Sequence, residues 1–134
     1  MADYINLTLE KGKISAISAL GLAHLGDAVF ELMVRAWLCA HGKSTSKGLH
    51  HATVSYVAAP AQAKAIQRIM PTLTDEETSA YKRGRNARVN SIPQNCTPGD
   101  YHAATGLETL FGYLYLNGKT DRLNELFEII MEEK

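Results

Sequence analysis

Between Ile14 and Ala40 the apolar residues Ile17, Leu20, Leu22, Leu25, Val29, Leu32, Met33 and Ala36 recur mostly at steps of three and four, the spacing of one face of a helix. Asp27, Glu31 and Arg35 interrupt the run, so it predicts a helix of a globular core rather than a membrane span. His41-Gly42 closes it, glycine being able to take a positive φ, and Lys43–Lys47 reads as a polar linker. The same periodicity runs on. A second helix is expected over Leu49–Ala59, although Thr53–Val57 also reads as a short strand. Pro60 opens a third helix reaching Met70 and stopped by Pro71. Thr74 and Glu77 form a capping box for a fourth helix ending near Arg83. Residues 84–100 read as a long loop, of the kind that is often functional. Tyr101–Leu116 and Thr120–Glu133 complete the set, the latter with Leu123, Leu126, Phe127, Ile130 and Met131 on one face. No repeat or linker divides the chain, so residues 1–134 are expected to form one all-α domain of about six or seven helices.

Composition narrows the function classes. At 134 residues and 46% hydrophobic content the chain is long enough to bury a core unaided. Its 14 Lys+Arg balance 14 Asp+Glu, which excludes a diffuse polycation that coats nucleic acid through net charge. Cys39 and Cys96 stand 57 residues apart with no CxxC, so reduced thiols are expected. The N-terminus MADYINLTLEKGK lacks a basic region followed by an apolar run. The expected setting is the cytoplasm, without a membrane.

Two carboxylates sit where solvent does not readily explain them. Asp27 lies mid-helix in Leu22-Ala23-His24-Leu25-Gly26-Asp27-Ala28-Val29-Phe30. A helix-interior glycine costs about 1 kcal/mol relative to alanine, so Gly26-Asp27 needs a reason. Close approach of another helix or a ligand supplies one; an Asp on the wet stripe of an amphipathic helix is the plainer alternative. Glu108 lies in Ala103-Ala104-Thr105-Gly106-Leu107-Glu108-Thr109-Leu110-Phe111-Gly112, again among small and apolar residues, and its plainer reading is an exposed helical Glu. Packed side by side, the two helices would bring like charges together, which is unfavourable unless a cation lies between them. All-oxygen ligation suits magnesium. Glu31 is four residues before Arg35, so an ordinary ion pair accounts for it. The five histidines lack zinc-type spacing. Acids at 125, 128, 132 and 133 line the outer face of the last helix.

The positive charge is gathered in one place. No acid occurs between Glu77 and Asp100, and the gap holds Lys82, Arg83, Arg85 and Arg88. A helix C-terminus explains one or two cations; four, with Asn86 among them, look like a phosphate-contacting patch.

These segments together resemble a known family. Leu25-Gly26-Asp27-Ala28-Val29 resembles the core of the ribonuclease III signature helix, and Gly106-Leu107-Glu108-Thr109-Leu110-Phe111-Gly112 that family's second catalytic helix. With Lys82-Arg83-Gly84-Arg85-Asn86-Ala87 between them, the order is similar to the Mini-ribonuclease III branch, over about residues 14–130. That branch has the catalytic domain without a double-stranded-RNA-binding domain. The resemblance implies the ribonuclease III helical fold and a homodimer. It implies a magnesium-dependent endoribonuclease, with Mn²⁺ as a substitute, that cuts double-stranded RNA to leave 5′-phosphates. The branch is associated with maturation of the large-subunit (23S) ribosomal RNA precursor, with a ribosomal protein as a further candidate partner.

Carried over by position, Asp27 and Glu108 are the expected catalytic and metal-binding residues. Lys82, Arg83, Arg85, Asn86 and Arg88 are the expected RNA contacts, with Lys64 and Gln62 added from the third helix. His24 stands where the family often places an aromatic at the dimer interface. Leu20 and Ala23 replace two glutamates, and Thr105 an aspartate, of the longer family members. This reduced set fits the branch and leaves the metal count open. The alternative is a non-catalytic RNA-binding or ribosome-assembly module of the same fold.

Overall fold

Ser18 divides the run that was expected to form one helix from Ile14 to Ala40. The computed structural model describes residues 2–42 and 45–132, and in it helix α1 spans Lys11–Ser15 and α2 spans Ala19–Ala40. Ser18 is extended, and its side-chain oxygen accepts a hydrogen bond from the Gly21 N–H at 2.9 Å. That bond satisfies one of the free donors of a new helix. Apolar spacing alone does not register so short a break.

Helices α3 (Ser46–Val57), α4 (Ala59–Ile69), α5 (Asp75–Arg85), α6 (Pro98–Leu116) and α7 (Thr120–Glu132) follow, with a 3₁₀ turn at Met70–Thr72. No strand occurs among the described residues. Thr53–Val57 is helical, and Thr53 Oγ1 donates back to Leu49 O at 2.8 Å. Extended Ala58 alone separates α3 from α4. The loop expected over 84–100 is shorter, because α5 continues through Arg85 and α6 begins at Pro98. Thr97 caps α6 by accepting from the Asp100 N–H at 3.1 Å; a Thr-Pro pair is a helix start as well as a loop signal. Lys43 and Ser44 of the expected linker and Glu133 of the expected last helix lie outside the described residues.

Helix α6 is the central element, in contact with α2, α4, α5 and α7. Leu107, Leu110 and Phe111 are fully buried on it, and Phe111 meets Phe30 of α2 edge-on with ring centroids 5.5 Å apart. Two glycines set how closely α2 approaches. A Cβ on Gly26 would stand 1.6 Å from Glu108 O, and one on Gly112 would stand 2.1 Å from Leu22 O. The two backbones therefore touch at a crossing that admits no side chain.

The α5 side is equally tight, since a Cβ on Gly84 would meet Thr109 Oγ1 at 2.1 Å. Thr109 Oγ1 lies 2.8 Å from Thr105 O and 3.1 Å from Ala19 O, so its hydroxyl reaches from α6 to the first turn of α2. The capping box at Thr74 is present, and its Glu77 does more than cap. Glu77 is buried and takes two hydrogen bonds from Arg122 of α7, at 2.8 and 2.9 Å. Burial acts to raise its pKa, but the hydrogen bonds from Arg122 and Thr74 and the Arg122 charge outweigh it and leave the pKa lowered.

Gly112→Ala is expected to destabilise the fold by about 3 kcal/mol, because the new methyl meets rigid backbone rather than a movable side chain. Gly12→Ala in α1, with open space around it, should leave stability unchanged or raise it by up to about 1 kcal/mol. Urea melts of the two variants check both values.

Candidate active site

Gly26 rests on the peptide of Glu108 itself, so the residue after it, Asp27, is delivered beside that glutamate. Asp27 is exposed on α2, whereas Glu108 is half-buried on α6. The carboxyls are close enough to interact both as charges and through a side-chain hydrogen bond. Glu108 has a second neighbour from beneath: Gln62 of α4, 1% exposed, donates from Nε2 to Glu108 Oε2 at 3.2 Å and to Val57 O at 2.8 Å. Gln62 Oε1 is buried and has no protein donor.

These surroundings act on the Glu108 proton. Burial is the largest influence and raises the pKa, the Asp27 charge raises it further, and the Gln62 hydrogen bond opposes both. The net effect is a pKa pushed up to about 8. A carboxyl held this way favours either a proton or a cation between itself and Asp27. The donor set fits a small hard divalent ion, since the two carboxylates offer oxygen alone. No group of three or more His, Cys, Asp or Glu able to hold a metal occurs among the described residues. Any metal here would complete its coordination with water or with substrate oxygens.

The remaining sequence candidates fall into separate places. Glu31 pairs with Arg35 at 2.7 Å, the i,i+4 bridge its spacing suggested. His24 is exposed on α2, on the same side as exposed Leu20 and Leu32. Lys82, Arg83 and Arg85 occupy the last turn of α5, Asn86 caps it, and Arg88 follows. All five are exposed, and none of the four cations has an ion-pair partner among the described residues. Arg83 donates to Ile17 O at 3.3 Å, and Arg85 lies over the Tyr81 ring at 5.6 Å. Lys64 is exposed on α4.

Gln62, expected as an RNA contact, is instead enclosed below Glu108, where no duplex can reach it. The signal for this was present in the sequence. Gln62, Ala65, Ile66 and Ile69 share the buried face of α4, so a glutamine stands in the apolar phase of that helix.

The raised pKa has a consequence for stability. Folded Glu108 keeps its proton to about pH 8, whereas the unfolded chain releases it near the ordinary value of 4.5. Its contribution is thus complete below the unfolded value and is lost as pH rises through the folded one. In EDTA, Glu108→Gln should gain stability relative to the unsubstituted protein between pH 5 and pH 8.5, overtaking it at the alkaline end. Thermal melts across that range check this, and a pH-independent gap between the two proteins would refute it.

Comparisons with known proteins agree with the fold and the order of these elements. Residues 20–119 match the family model for the Ribonuclease III domain. The chain is similar to the Mini-ribonuclease 3 of Symbiobacterium thermophilum, with 43% identity over 109 residues that cover 81% of this chain and 84% of that protein. It is similar to the Mini-ribonuclease 3 of Brevibacillus brevis at 46% identity over 109 residues, 81% of each chain. Among solved structures, an X-ray crystal structure of a Fusobacterium nucleatum protein superposes with a TM-score of 0.81 at 30% identity, covering 88% of this chain and 91% of that one. With the family model spanning most of the chain and these relatives matched over most of their length, the chain belongs to the ribonuclease III family.

Proposed function

We propose that this protein is a cytoplasmic, magnesium-dependent endoribonuclease that cleaves double-stranded RNA, with the large-subunit ribosomal RNA precursor as its substrate. The observation that carries the reading is the meeting of Asp27 and Glu108 on either side of the α2–α6 crossing. Two carboxyls brought together at the cost of a raised pKa are a poor structural pair and a good cation grip. The Mini-ribonuclease 3 relatives support the same activity. No helix among the described residues is long and apolar enough to cross a membrane.

Asp27 and Glu108 would hold Mg²⁺, or Mn²⁺ in its place. When bound, the ion supplies Lewis-acid charge to the scissile phosphate and lowers the pKa of an attacking water. In the reaction a water oxygen bonds to phosphorus and the bond to the 3′-oxygen breaks, leaving a 5′-phosphate and a 3′-hydroxyl. Lys82, Arg83 and Arg85 at the end of α5, and Arg88 just beyond it, place unneutralised charge at the end of the helix that packs on the one carrying Glu108. There they bind backbone phosphates on either side of the cut, with Asn86 and Lys64 adding polar contacts. A-form RNA is read mainly by shape and 2′-hydroxyls, which suits a patch made of cations rather than of base-reading side chains. The protein acts as a homodimer through α2, where Leu20 at 41% and Leu32 at 63% exposure flank His24. A dimer there would cover apolar surface and set two sites for the two strands.

Asp27→Asn and Glu108→Gln should each abolish cleavage of duplex RNA in Mg²⁺ while leaving the dimer intact by light scattering. EDTA should do the same to the unsubstituted protein, and full activity in either variant would remove that residue from the catalytic set. Replacing Lys82, Arg83, Arg85 and Arg88 with alanine should weaken RNA binding and flatten the slope of log affinity against log salt by about 1 per lost phosphate contact. An unchanged slope in a fluorescence-anisotropy titration would reduce the patch to helix capping.

A further inference from the structure

Resting on the metal-dependent reading above, we infer that Gln62 is a positioning residue: its side-chain amide clamps the Glu108 carboxylate in the orientation that grips the cation with Asp27. The geometry is the ground for it. The terminal torsion of a glutamate is broad and two-fold, so a carboxylate at the mouth of a site turns freely unless one oxygen is held. Glu108 Oε2 is held by Gln62 Nε2 at 3.2 Å. The amide is itself fixed. Its Nε2 also donates at 2.8 Å to Val57 O, the carbonyl of the last residue of α3. The Val57 carbonyl can only accept, so the nitrogen must face it and a flipped amide is excluded. The residue's backbone is tied into the first turn of α4 by Gln62 N–Ala58 O at 3.0 Å. One buried side chain thus refers the position of Glu108 to the end of α3 and the start of α4.

A group placed for packing alone would not leave Oε1 buried without a donor, as Gln62 does. An apolar side chain of the same length would fill the volume and avoid that orphan oxygen. What it would lack is the donor to Glu108. Partners that orient a metal ligand in this way typically affect metal affinity or activity about 10- to 100-fold when removed.

The test uses the full chain and Mn²⁺, which is paramagnetic and can be followed by electron paramagnetic resonance without any RNA. Gln62→Met keeps the length of the side chain and removes both polar atoms; Gln62→Leu is the second variant. Each is first melted, and a variant that melts within a few degrees of the unsubstituted protein is carried forward. The expected result is a Mn²⁺ dissociation constant raised about 10- to 100-fold and a kcat on duplex RNA lowered by a similar factor. The KM for RNA should remain within about twofold, because Gln62 does not reach the surface. Mn²⁺ affinity and kcat both unchanged in a folded variant would overturn the role of Gln62 while leaving the nuclease reading in place. Failure of both variants to fold would make Gln62 a core residue and overturn it as well. If the unsubstituted protein binds no Mn²⁺ and cuts no RNA, both readings fall together.

Discussion

Two stretches of backbone in direct contact, at Gly26 on α2 and Gly112 on α6, organise this molecule. Helices normally keep a layer of side chains between their axes, typically 8–10 Å apart. Here a Cβ at either glycine would lie inside the neighbouring backbone. Each glycine costs helix propensity, and the return is proximity. The atom that Gly26 abuts is the carbonyl oxygen of Glu108, so the crossing that sets the packing of the core also sets where the two acids meet. Packing and chemistry cannot be varied independently at this point.

The protein handles its two prominent carboxylates in opposite ways. Glu77 is buried with a fork of hydrogen bonds from Arg122 and an N-cap amide, and its pKa falls. Its charge is fully answered inside the fold, so it joins α5 to α7 and has no chemistry left over. Glu108 is turned toward another acid, with one neutral amide for support, and its pKa rises. Burial pushes both pKa values upward; the difference is that Glu77 has a cation, Arg122, built into the chain beside it, whereas Glu108 has another acid.

Much of this was readable in the residues. Helical periodicity gave the class, and the improbable Gly-Asp pair in the most apolar helix marked the crossing. The conjunction of Asp27 with Glu108 followed from small residues flanking both acids, although no one-dimensional spacing could prove contact. Ser18 and Thr97 are caps, where one side-chain oxygen replaces a backbone partner, and a cap leaves no mark on apolar spacing. Gln62, expected among the RNA contacts, is buried. Its phase on α4, in register with Ala65, Ile66 and Ile69, was the stronger guide. The Glu77–Arg122 pair joins residues 45 apart, and nothing local in either segment announces the other.

The segment between α5 and α6, residues 86–97, is mostly exposed and carries little of the core. It hangs from two anchors that are themselves rigid: Gly84 pressed on Thr109 and the Thr97 cap of α6. A stretch of chain that contributes little packing but begins and ends at fixed points is open to exchange. Length and composition there can drift, or be redesigned, with small thermodynamic penalty, whereas the glycine contact tolerates no drift at all. Change in this scaffold is therefore cheap in the connection between α5 and α6 and costly at the crossing of α2 with α6.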